Sequence, residues 1–185
     1  MPIDELIQVL NISNRTNPTN YILLNDAIAK IDTENITTNN LTSIWCEYEV
    51  LFLIKLYKSG FKKDTYTLKQ SQDKFCNIDF VILNIKTNKK VYIELKTRAK
   101  EYEKYDTFFI GTTKIFKIKH TGLMPCLLCW DFHNLQDLYF MDYNCEKIEK
   151  CNKNVMSGSW VYELNKSNMT CGWSALLNRI HELID

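Results

Sequence analysis

The run Cys126-Leu127-Leu128-Cys129-Trp130 is apolar at every position. Side chains on a strand alternate between the two faces of its sheet, so a strand of this kind has to be covered on both sides. Only a layered fold supplies that cover. The rest of the chain reads accordingly. Helical spacing runs from Ser43, an N-cap, to Lys58, where Ser59-Gly60 ends it. Extended patterns follow at Thr65–Leu68, Ile78–Ile85 and Val91–Lys96, the last two joined by the polar turn Lys86-Thr87-Asn88-Lys89-Lys90. A helix fits Thr112–His120, closed by Gly122. After the apolar run come strands at Leu138–Tyr143 and Trp160–Leu164 and a terminal helix at Trp173–Ile184. The order implies an α/β domain with a mixed central sheet flanked by helices. Upstream, Pro2–Leu10 and the pattern Tyr21, Leu24, Ala27, Ile28, Ile31 predict two further helices. Residues 1–42 are therefore expected as an N-terminal helical extension and 43–185 as the core, within the single domain that 185 residues suit.

Charge separates along this order. The net charge is only +1, yet Lys55 to Lys119 holds 16 Lys and Arg against 7 Asp and Glu, leaving 7 basic and 15 acidic residues elsewhere. A basic middle suits a polyanionic partner as well as a solvated face. No apolar stretch approaches the ~20 residues of a membrane span. The start Met1-Pro2-Ile3-Asp4-Glu5 lacks the basic flank and apolar core of a signal peptide, so an intracellular, unsecreted protein is expected. The seven cysteines then read as reduced thiols.

The basic middle also carries carboxylates that do not belong in a core. In Val91-Tyr92-Ile93-Glu94-Leu95-Lys96 the apolar residues point one way, while Glu94 and Lys96 share the opposite face. Asp79 opens the preceding apolar strand and, in a hairpin, comes beside Glu94. Two close carboxylates raise one another's pKa, and a hard divalent cation, Mg²⁺ or Mn²⁺, relieves that repulsion. Lys96 is placed to hold an attacking water or an anionic substrate oxygen. A buried Asp–Lys or Glu–Lys pair without metal is the plainer alternative.

A helix with Glu, then Asp79, then Glu94-Leu95-Lys96, resembles the PD-(D/E)xK nuclease superfamily, with Ile78 where the name of the family has proline. The resemblance covers about Ser43 to Tyr143 and is closest in layout to archaeal Holliday-junction resolvases and small phage or viral nucleases. It implies a restriction-endonuclease-like fold and metal-dependent hydrolysis of nucleic-acid phosphodiesters, DNA in the first place, leaving a 5′-phosphate, with homodimers among its members. It also implies a glutamate from the first helix. Glu49 shares its row with Phe52, Leu53 and Leu56, whereas Glu47 shares one with Leu51, Lys55 and Lys58, whose two lysines point to water. Glu49 is thus the inward residue and the expected third ligand, with Glu47 as the alternative. A resolvase of branched DNA and a non-catalytic nucleic-acid-binding module of the same fold remain rival readings. The abundance of Lys, Asn and Ile fits an AT-rich genome, such as that of a phage, a large virus or a protist.

Arg98 and Lys100, in the basic connector, and Lys114 and Lys117, three apart on the next helix, are the expected phosphate contacts, with Lys114 placed to approach the active centre; ordinary solubilising lysines are the alternative. Tyr102, Tyr105, Phe108 and Phe109 read equally as a stacking loop or as the core edge. Cys126 and Cys129, three apart on a strand, point to opposite faces and cannot share a metal. The histidines, His120, His133 and His181, show no ligand spacing, and no glycine-rich phosphate loop occurs.

Overall fold

The computed structural model describes residues 21–23, 52–53, 55–62, 64–71, 78–98, 103–132, 138–144, 148, 150–153 and 159–185. Its strands are β1 (Tyr21–Leu23), β2 (Tyr66–Ser71), β3 (Phe80–Asn84), β4 (Lys90–Arg98), β5 (Thr107–Gly111), β6 (Cys126–Phe132), β7 (Leu138–Asp142), β8 (Lys150–Lys153), β9 (Trp160–Asn165) and β10 (Thr170–Cys171). The helices are α1 (Thr112–Thr121) and α2 (Trp173–Ile184), together with helical residues 52–53 and 55–58. Among the described residues none of these is long and apolar enough to cross a membrane.

Seven strands form the main sheet in the order β1-β2-β3-β4-β6-β7-β10, and β5-β9-β8 form a second, smaller one. β2, β3 and β4 make an antiparallel meander, and β6 then pairs with β4 in parallel. A parallel neighbour needs a long crossover, which β5 and α1 provide. The result is a mixed α/β fold with helices on both faces of the central sheet. β6 is buried along its whole length between β4 and β7. Its residues alternate as the apolar run requires. Leu127 and Cys129 join Val91, Ile93 and Leu95 in a near layer under Phe52, Leu53, Leu56 and α2. Cys126, Leu128, Trp130 and Phe132 join a far layer under α1, β5 and β9. The two thiols are indeed divided between the faces, as buried apolar groups.

α2 spans the residues expected and buries Trp173, Leu176, Leu177, Ile180 and Ile184 on one stripe. Each such side chain contributes about 2 kcal/mol by leaving water. α1 ends at Gly122, whose φ of 64° a side chain would resist.

The β3–β4 turn does more than reverse the chain. Asn88 takes a left-handed φ of 57°, which asparagine tolerates. Asn84, at 3% exposure, accepts from Lys86 N (2.8 Å) and Thr87 N (3.1 Å) and donates to Ile184 O (3.2 Å) and Asp185 Oδ1 (2.9 Å). Thr87 Oγ1 also donates to Ile184 O. The turn therefore satisfies carbonyls that the end of α2 leaves open. Replacing Asn84 with alanine should cost about 2 kcal/mol, because the partners of the lost amide are partly buried. Urea denaturation of Asn84→Ala against the parent measures it.

One expectation needs correction, and two further strands go beyond the sequence reading. Tyr21–Leu23 is a strand, antiparallel to β2, where helical spacing predicted a helix. The open edge of β2 offers main-chain hydrogen bonds that local periodicity does not register, and Tyr and Ile favour extended backbone. The rest of 1–42 lies outside the described residues. Thr107–Gly111, in the stretch that reads equally as a stacking loop or as the core edge, is a strand with Phe108 and Ile110 buried and Phe109 exposed. Lys150–Lys153 is an unforeseen edge strand on β9, too polar to show alternation.

Candidate active site

The register Phe80↔Ile93 and Val81↔Tyr92 continues one step to set Asp79 opposite Glu94. Asp79 is held by both neighbours of Glu94. Its N–H donates to Ile93 O at 3.1 Å, and its Oδ2 accepts from Leu95 N at 2.6 Å. Main-chain bonds thus fix this carboxylate without help from a mobile side chain.

Glu94 points away from Ile93 and Leu95, into the far layer, and is fully buried. Lys96, two residues on and so on the same face, donates from Nζ to Glu94 Oε1 at 2.5 Å. Lys114, from the first turn of α1, brings its Nζ to 2.9 Å from Oε2. That contact is an ion pair whose angles leave Oε2 without a true hydrogen bond. Burial first, and Asp79 second, push the Glu94 carboxyl from 4.5 up to about 7, although both lysines pull it down. Leu128 of β6 lies beside Glu94, and buried Cys126 close by has its thiol pushed up by burial and by the Glu94 charge. Removal from water dominates the electrostatics of this site.

Of the residues expected to work together, the structure brings Asp79, Glu94 and Lys96 into one cluster. It adds Lys114 as a direct partner of Glu94. Lys117 is exposed on α1. Arg98 is half-buried two residues beyond Lys96, its Nη1 donating to Thr97 O at 2.8 Å. Glu49, Glu47 and Lys100 lie outside the described residues. Among those described, no three His, Cys, Asp or Glu side chains converge. His120 packs at a tilt against Phe116 and His181 stacks on Tyr66, both engaged elsewhere.

The near layer holds a pair that sequence reasoning missed. Asp131, 2% exposed on β6, accepts from Lys55 Nζ at 2.8 Å. Lys55 was expected to face water with Lys58, yet its side chain is only 25% exposed and its ammonium lies 5.8 Å from the centre of the Trp173 ring. A long aliphatic stem lets a residue on the polar edge of a helix reach inward. The available signal was an acid, Asp131, directly after the apolar run. A cavity of about 780 Å³ between β7 and α2 contains none of these groups, and Arg179 on its wall is already bound to Asp142 and Glu182.

No family model matches the chain, and no curated protein matches it significantly in sequence. Among solved structures it is similar to Archaeoglobus fulgidus Hjc, a Holliday junction resolvase from an archaeal hyperthermophile. The TM-score is 0.42 and the identity 14%, over 68% of this chain and 96% of that one. A likeness at that level carries no weight for function, which has to stand on Asp79, Glu94 and their lysines.

Proposed function

We propose that the chain is a metal-dependent nuclease that hydrolyses phosphodiester bonds of nucleic acid, DNA in the first place. One observation carries this reading: a fully buried glutamate set against an aspartate on the neighbouring strand, with Lys96 at 2.5 Å. A glutamate retained for packing alone has no reason to face a second carboxylate, and such perturbed groups concentrate at functional sites. The donor set fits a hard divalent cation, because it offers only carboxylate oxygens, held rigidly at Asp79 and in short supply of water at Glu94. Asp79 and Glu94 would hold Mg²⁺ or Mn²⁺, with Glu49 as the proposed third ligand. Such an ion supplies a nucleophile at neutral pH and stabilises charge on the phosphate.

The chain supplies the rest. The main chain of β4 keeps Asp79 in place, the far layer excludes water around Glu94, and Lys96 orients the attacking oxygen or neutralises the phosphate. Arg98, Lys100 and Lys117 are the proposed contacts to flanking phosphates, where they add affinity that falls with salt.

The test is incubation with linear, single-stranded and branched DNA and with RNA, in Mg²⁺, Mn²⁺, Ca²⁺ or EDTA. Cleavage is expected with Mg²⁺ and Mn²⁺, tighter binding without turnover with Ca²⁺, and no reaction in EDTA. Cleavage that persists in excess EDTA would overturn the metal. Binding with no cleavage under any condition would make this a binding module.

A further inference from the structure

Both oxygens of Glu94 are engaged by ammonium groups, and the two come from different elements. Lys96 is fixed by strand geometry, two residues along β4. Lys114 is placed by α1, whose buried Ile115 and Ile118 seat the helix on the far layer and leave Lys114, one turn before Ile118, leaning toward the sheet. Its side chain is 22% exposed, whereas the neighbouring Lys117 is open to water. Among the described residues, with Asp79 and Glu94 ionised, Lys96 and Lys114 bring the cluster to formal neutrality. A divalent cation on Glu94 would meet an ammonium group already at each oxygen. Their contacts with Glu94 differ. Lys96 makes the shorter contact and a hydrogen bond, while Lys114 makes a longer ion pair without hydrogen-bond alignment.

Resting on the nuclease reading above, we propose that Lys114 is the resident counter-ion of the cation-free site: it holds Glu94 in place until a divalent cation binds and is the group that cation displaces. Metal affinity is then set by competition with a lysine of this chain as well as by the carboxylates. An opposite charge at this range biases a carboxylate by a unit or more of log affinity for its competitor.

Mn²⁺ binding to the full chain, read by electron paramagnetic resonance at pH 8 without nucleic acid, tests it. Lys114→Met, which keeps the aliphatic stem, should bind Mn²⁺ roughly tenfold more tightly than the parent. Lys114→Arg should stay near the parent affinity. The Mn²⁺-induced rise in melting temperature should be larger in Lys114→Met than in the parent, since only the cation-free form loses a partner. A purely structural lysine would lower both melting temperatures equally and leave the affinity unchanged, and that result overturns the proposal. Glu94→Gln separates the two levels. If parent binding is absent, or survives this change, the metal reading fails and the inference falls with it. If Glu94→Gln abolishes binding while Lys114→Met leaves it unchanged or weaker, the inference alone fails.

Discussion

Replacing Glu94 with glutamine should abolish cleavage and, at pH 8, make the cation-free protein more stable. The activity loss follows from the charge: a neutral amide oxygen holds a divalent cation far more weakly than a carboxylate and offsets none of its charge, and several kcal/mol of lost transition-state stabilisation amount to about 10³-fold or more in rate. Asp79→Asn should lose activity similarly while folding normally, because an amide oxygen can still accept from Leu95 N. The stability gain follows from the carboxyl's titration. It sits at about 7 when folded against an ordinary 4.5, so the folded chain binds the proton more tightly than the unfolded one. Its contribution is therefore fully present below 4.5 and is lost as pH rises through about 7. The ionised group then costs up to about 3 kcal/mol, net of both lysines, from which glutamine is exempt. For a chain of this size that corresponds to roughly 5 °C or more. Thermal melts in EDTA should separate the two proteins at pH 8 and bring them together near pH 5. A lower melting temperature for Glu94→Gln at pH 8 would show that Glu94 serves the fold, and the functional reading would lose its main support.

The cost of burying charge explains why the cluster could be read from sequence at all. Glu94 and Asp79 are conspicuous because they interrupt apolar strands, and a period of two fixes their face once the hairpin is recognised. The polar turn at 86–90 supplied the hairpin, and the apolar run at Cys126 supplied the central strand and both covering layers. What stayed hidden has physical causes. β1 and β8 owe their form to the edges they pair with, so their own residues carry little signal. Spacing pairs Lys114 with Lys117 and lets Lys114 approach the centre, but only the depth to which Ile115 and Ile118 sink decides that one lysine meets Glu94 and the other meets water. Lys55 and Asp131 are separated by 75 intervening residues, and nothing local marks either as the partner of the other.

This last pair carries the second large effect. Asp131 is almost wholly buried, and burial raises its carboxyl against the opposing pull of Lys55. Lys55→Met would keep most of the packing against Trp173 and leave an ionised carboxylate without its cation. Breaking a buried pair from one side costs about 3–5 kcal/mol. Because Lys55 is a quarter exposed and water can partly replace it, about 2–3 kcal/mol is the expectation here. Asp131→Asn should cost about 1 kcal/mol or less, since the amide oxygen still accepts and the lysine can turn outward. The double variant should be more stable than Lys55→Met alone, giving a coupling on the order of 2 kcal/mol in a denaturation cycle. Acid should narrow the deficit of Lys55→Met. With the folded carboxyl raised further, its stability is retained while Asp131 is protonated and lost as pH climbs above the ordinary aspartate range. Strictly additive single effects, or a deficit of Lys55→Met that is the same at pH 5 and pH 8, would mean that the helical residues 52–53 and 55–58 owe no hold on the sheet to the Lys55–Asp131 pair.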